Sequence, residues 1–122
     1  MRKFCLDCTI KHLGQAYVLH GEVEQGYPEH ILGVIGHLAE ASEECIGASK
    51  ELADKIRQYR LIIHENLDMI VKGEEIVDIP YFELFNATME VMREKGCGSC
   101  QKAKKSFKDR LKQSKKENEE AQ

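Results

Sequence analysis

The sequence predicts an all-α fold, a small bundle of four to five helices. Three observations carry this reading. Proline is scarce, at 2, glycine stands at 9 and charged residues at 32%, a balance that suits helices and disfavours a β-sandwich or a collagen-like chain. Apolar residues recur at three- and four-residue steps along most of the chain. Glycine and proline fall where those patterns stop. A length of 122 residues with 42% hydrophobic content fits one domain with a modest core. No internal repeat of useful length is present.

The first helix is expected over residues 6–25. Cys5, Cys8, His12, Ala16, Leu19 and Val23 share one face, and Ile10, Leu13 and Tyr17 widen it. Gly26-Tyr27-Pro28 ends that segment and starts the next, with Pro28 suited to a first helical position. Residues 29–72 keep the same spacing through Ile31, Ile35, Leu38, Ser42, Cys45, Ser49, Leu52, Ile56, Tyr59, Ile63, Asn66 and Ile70. Two helices broken near Gly47 are expected rather than one long helix. Glycine costs about 1 kcal/mol inside a helix, and Ser49 can cap a new one. Gly73 stops the third helix. Residues 76–79 form an extended linker. Pro80 opens a fourth helix over 81–95, with Phe82, Phe85, Met89 and Met92 on one face and Gly96 at its end. A last helical segment is expected over 101–116, where Ala103, Phe107 and Leu111 form a thin apolar stripe, followed by a polar end over 117–122.

Charge divides the chain into residues 1–100 and 101–122. The first part holds 10 Lys+Arg and 17 Asp+Glu; the second holds 8 and 4. An acidic body thus carries a basic tail. The net charge of −3 argues against general nucleic-acid affinity of the whole. The longest run without a charged residue or histidine spans 13–19, seven residues against the roughly 20 a membrane span needs. Met1-Arg2-Lys3-Phe4 resembles a signal-peptide start, but Asp7 and Lys11 interrupt any apolar stretch after it. The expectation is a cytoplasmic protein with no membrane partner.

Four of the five cysteines form two C-x-x-C pairs, Cys5/Cys8 and Cys97/Cys100. Two intervening residues let both sulfurs reach one ion at about 2.3 Å, and four thiolates complete a tetrahedral Zn²⁺ shell. The 88 residues between Cys8 and Cys97 exceed the span of a zinc ribbon, so such a site would staple the two ends of the bundle. The sequence thus predicts a helical zinc-binding domain over 1–100. A competing ligand set is Cys5, Cys8, His12 and His37, with the first three in C-x2-C-x3-H spacing. A histidine on a helix is also commonly a hydrogen-bonded core or surface residue, and the cysteines can be plain thiols. A third reading is a redox dithiol. Cys97-Gly-Ser-Cys100 resembles a thioredoxin-type motif, with Lys102, Lys104 and Lys105 to lower a thiol pKa, although that motif follows a β-strand and here a helix precedes it. Cys45 sits on the apolar stripe as a small core residue.

Glu40-Ala-Ser-Glu43 followed by Glu51-Leu-Ala-Asp54 resembles the magnesium site of the all-α nucleoside-triphosphate pyrophosphohydrolases, the MazG-like group. The resemblance implies Mg²⁺ held by carboxylates on facing helices and water activated against a phosphate. That group separates its two motifs by a longer stretch than the seven residues found here.

Cys5-x-x-Cys8-x-x-Lys11-His12-Leu13, Gly36-His37-Leu38-Ala39-Glu40-Ala41-x-x-Glu44 and Ile56-Arg57-x-x-Arg60 resemble short uncharacterised proteins of tailed phages and their bacterial hosts. Gly96-Cys97-Gly98-Ser99-Cys100-x-Lys102 resembles a second cysteine motif of small phage proteins. The resemblance implies a bacterial or phage cytoplasmic setting and a special role for Cys5, Cys8, His12, His37 and Glu44. It implies no activity.

Lys102, Lys104, Lys105, Lys108, Arg110, Lys112, Lys115 and Lys116 place eight cations within fifteen residues. They suit phosphate contact, a protein partner, or packing of Phe107 and Leu111 onto the acidic body beside Glu40, Glu43 and Glu44. Together these features predict a small zinc-stabilised binding or adaptor protein that contacts another macromolecule, protein or nucleic acid, through its tail. A homo-oligomer is compatible with them. The magnesium-dependent hydrolase and the dithiol redox protein are the alternatives.

Overall fold

The computed structural model describes residues 3–74 and 77–98. The helix expected over 101–116, its basic residues and Cys100 lie outside the described residues. Among the described residues, five α-helices and one short 3-10 turn follow in order: α1 (Leu6–Glu24), the turn Pro28–His30, α2 (Ile31–Cys45), α3 (Lys50–Glu65), α4 (Leu67–Val71) and α5 (Tyr81–Lys95). No helix among the described residues is long and apolar enough to cross a membrane.

Local signals set most of the helix ends. At the C-terminus of α1, Gly26 N–H donates to Val23 O at 3.2 Å and Tyr27 N–H to Glu22 O at 3.1 Å. This paired cap needs a positive φ, and Gly26 supplies +113°. The break after Cys45 occurs where Gly47 stands. Ser49, in an extended conformation, restarts the chain as the cap of α3, its hydroxyl accepting from Leu52 N–H at 3.1 Å. A second break divides the expected third helix at Asn66. Its backbone leaves helical geometry (φ −107°, ψ 16°), and its side-chain amide donates to Ile62 O at 2.8 Å. Asparagine competes for helix carbonyls in this way, which the apolar spacing does not register.

The core lies where α1 packs along α2 and α5 and α2 along α3. Leu6, Leu13, Val34, Leu38, Ile56, Ile63 and Leu84 fill it. On α2 and α3 the buried residues follow the expected stripe. On α1 the buried face is Leu6, Thr9, Leu13, Ala16 and His20, turned from the Cys5–Cys8–His12 face. On α5 it is Tyr81, Leu84 and Thr88, whereas Phe82 is 67% and Met89 43% exposed.

Hydrogen bonds account for both rotations. The Thr9 hydroxyl donates to Cys5 O at 3.0 Å, and that of Thr88 to Leu84 O at 2.7 Å. His20 Nδ1 meets Tyr81 Oη at 2.8 Å across the α1–α5 contact. Polar side chains with partners can be buried at little cost. That interhelix bond fixes Tyr81 inward and leaves Phe82 at the surface.

Candidate metal centre

Cys5 caps α1. Its backbone is extended, and its sulfur accepts from Cys8 N–H at 3.3 Å. A C-x-x-C pair on a helix start has both features: one residue outside the helix, the other on the first turn, and an amide aimed at the first sulfur. Two further bonds hold this corner. Cys5 N–H donates to Glu44 O at 2.8 Å, and Leu6 N–H donates to Cys97 O at 2.7 Å. Cys5 and Gly98 form an antiparallel bridge. The segment leaving α5 therefore runs against the segment entering α1, and Cys97 comes beside the first cysteine pair.

Gly98 makes that approach possible. Its φ is +112°, and a Cβ placed there would lie 2.1 Å from Phe4 O. Cys5, Cys8 and the Cys97 backbone thus meet at one seam, Cys5 at 1% exposure and Cys8 and Cys97 half-buried. One donor atom each from Cys5, Cys8 and Glu44 lies within 4.8 Å of the other two. Cys97 reaches this corner through its backbone contact with Leu6, but its sulfur is not among the donors that converge with those of Cys5 and Cys8. Cys100 lies outside the described residues. The sulfurs suit a soft or borderline ion such as Zn²⁺, and the Glu44 carboxylate is a further ligand type that zinc accepts.

His12 and His37 fall in a second group, with Glu40. The two Nδ1 atoms are 3.0 Å apart, and His12 Nε2 is 3.1 Å from the Glu40 carboxylate. The set Cys5, Cys8, His12 and His37 is thus distributed between two groups along the α1–α2 contact. Glu44 and Glu40 complete them; the cysteine and histidine spacing included neither, although the phage-protein resemblance singled out Glu44 and the pyrophosphohydrolase-like pattern Glu40. A signal was available. Residues 5, 8 and 12 are separated by three and four positions, and 37, 40 and 44 by the same steps. In an antiparallel helix pair, facing residues keep a constant sum of residue numbers, and Cys5/Glu44 and His12/His37 obey that rule.

The carboxylates of the pyrophosphohydrolase-like pattern do not converge. Glu40 faces His12, Glu43 pairs with Arg57 at 2.8 Å, and Glu51 and Asp54 are exposed on α3. Among the described residues these four form no donor group of three or more. Cys45 lies elsewhere in the core, fully buried, and desolvation by burial pushes its thiol up to about 11. No family model, curated protein or solved structure matches the chain.

Proposed function

We propose that the protein is a small helical adaptor whose two ends are stapled by one zinc ion, and which binds another macromolecule. The observation that carries the staple is the seam: Leu6 N–H to Cys97 O at 2.7 Å, with Cys5 bridged to Gly98. Cys5, Cys8 and Cys97 are the donors we assign, with Cys100 as the fourth from its C-x-x-C spacing and Glu44 as an oxygen alternative. The ion would supply cohesion rather than chemistry, since four protein ligands close its shell. In a chain with a modest core, such a site contributes directly to folding. The cytoplasm of a bacterium or an infected host, the setting implied by the phage-protein resemblance, would keep the thiols reduced.

Two features support the binding half of the reading. One is the sequence of the basic tail, suited to phosphate or to an acidic protein surface. The other is an exposed aromatic pair, Tyr17 and Phe82, with ring centroids 5.5 Å apart, seated over the buried Tyr81. Aromatic side chains of this kind anchor protein interfaces. The hydrolase reading has less support, because Glu40 and Glu43 are engaged by His12 and Arg57.

The deciding experiment is native mass spectrometry of reduced protein, with and without chelator, combined with thiol alkylation. We expect one zinc per chain and four thiols protected until the metal is stripped. Cys97→Ser should lose the ion. Five freely reactive thiols and no metal would remove the staple and bring nucleotide hydrolysis and dithiol exchange forward for direct assay. Binding of a labelled DNA duplex, with affinity falling steeply as salt rises, would assign the tail to nucleic acid. No binding at low salt would set duplex DNA aside and leave a protein partner or packing on the acidic body.

A further inference from the structure

The second donor group stands apart from the cysteine seam. His12 projects from α1, and His37 and Glu40 from α2, one turn apart on the same face. The imidazoles are 5.3 Å apart between centroids and inclined by 30°, with their Nδ1 atoms 3.0 Å from each other. Glu40 lies 3.1 Å from the other nitrogen of His12. One ligand atom from each of the three residues falls within 4.8 Å of the rest. Donors held about 2.0–2.1 Å from a tetrahedral ion are roughly 3.3 Å from one another. Binding one ion would have the His12 ring present a single nitrogen to it, in place of its Nδ1 contact with His37 and its Nε2 contact with Glu40.

The group is also accessible. His12 is 23% and Glu40 63% exposed in their side chains, so an ion can enter and leave from solvent. A shallow groove of about 570 Å³ lies alongside, lined by Lys11, Gly14, Gln15, Val18, Leu19 and His37.

We propose that His12, His37 and Glu40 form a second metal site, for an exchangeable divalent ion of the zinc class. Two imidazoles and one carboxylate suit such ions. Three protein donors leave the fourth position to water or to a small ligand from the groove. The cysteine site would close around its ion; this one exchanges. It clamps α1 to α2 without the cysteines, so it does not depend on the staple.

The test uses the full chain with whatever metal it retains after purification. Zn²⁺, and in parallel Co²⁺, is added, and bound ions are counted by native mass spectrometry while cobalt absorption reports the ligand type. The expected result is one additional ion per chain, with cobalt bands of nitrogen and oxygen ligation and no thiolate charge transfer. His37→Ala should abolish it. Glu40→Gln, at an exposed position that does not threaten folding, should weaken it by at least about tenfold, since even outer-shell partners of metal ligands are worth 10- to 100-fold. Both variants should retain the ion held by the cysteines. Two outcomes overturn the proposal: no additional ion, or an additional ion that His37→Ala and Glu40→Gln leave in place. The first would identify the imidazole pair as an N–H···N hydrogen bond between helices. A chain that takes up a His37-dependent ion while carrying none on its cysteines would sustain this site and refute the staple.

Discussion

Gly98 and Gly26 have nearly the same φ, +112° and +113°. They differ in their surroundings, which makes a paired experiment possible. Replacing either by alanine costs about 1–2 kcal/mol for a side chain at positive φ, offset by about 0.4–1 kcal/mol from a less flexible unfolded chain. Nothing lies within 4 Å of a Cβ at Gly26, so Gly26→Ala should cost only that difference, about 1 kcal/mol. At Gly98 the new Cβ would meet Phe4 O at 2.1 Å, Phe4 Cδ2 at 2.7 Å and Phe4 C at 2.8 Å. Ordinary contact begins near 3.5 Å, so the two strands must part by more than about 1 Å. The Leu6 N–H to Cys97 O bond, at 2.7 Å, does not survive that displacement. Losing it and the adjoining bridge adds about 2 kcal/mol, for a total near 3 kcal/mol. Urea denaturation of both variants reads the difference directly. In thermal melts it corresponds to a gap of about 8 °C. Alkylation should also reach Cys5, which is 1% exposed, faster in Gly98→Ala than in Gly26→Ala. Equal stability losses in the two variants, within about 0.5 kcal/mol, would refute the claim that the strand crossing contributes to the fold.

Three further outcomes are expected. Ser49→Ala removes the hydroxyl that accepts from Leu52 N–H at 3.1 Å and should lower stability by about 1 kcal/mol in chemical denaturation. Leu38→Ala, at a position with 0% exposure between α1, α2 and α3, should cost about 3 kcal/mol; a loss below about 1 kcal/mol would mean that the core collapses onto the vacated volume. Burial raises the Cys45 thiol from its ordinary 9.0 to about 11, so the folded state favours the neutral thiol. Its contribution to stability is intact below about pH 9 and disappears as pH climbs toward 11. Cys45→Ala should therefore flatten the alkaline fall of the unfolding midpoint over that range, and an unchanged slope would contradict the assignment.

What could be read from the sequence was the local part of the structure. Gly26, Ser49, Gly73 and Gly96 mark helix ends because caps are decided by a few adjacent residues. The orientation of α1 and α5 was hidden, since it depends on partners far apart in the chain. His20 is buried because Tyr81, 61 positions away, accepts or donates the bond it needs. Hydropathy treats that histidine as a surface residue and Phe82 as core. The second break failed for a related reason: Ile63 and Ile70 continue the stripe across Asn66, whose amide ends the helix without disturbing the pattern. At the candidate centre spacing pointed to the Cys5–Cys8 pair, whereas Glu40 and Glu44 stood among many acidic helix residues and spacing alone did not join them to it. The antiparallel pairing of α1 with α2 sets Glu40 and Glu44 apart from Glu51 and Asp54 and agrees with the resemblance on Glu44.

The Cys5–Gly98 bridge also fixes the order in which the molecule can be completed. The hairpin of α1 and α2 joins neighbouring segments and can form while the chain is still being made. The corner at Cys5 waits for residue 98 to leave the ribosome, and closing a loop of that length costs about 4 kcal/mol in chain entropy. Until then the bond from Leu6 N–H to Cys97 O and the pairing of Cys5 with Gly98 are unmade. During synthesis, then, the corner where the chain enters its first helix is among the last parts of the described fold to be completed.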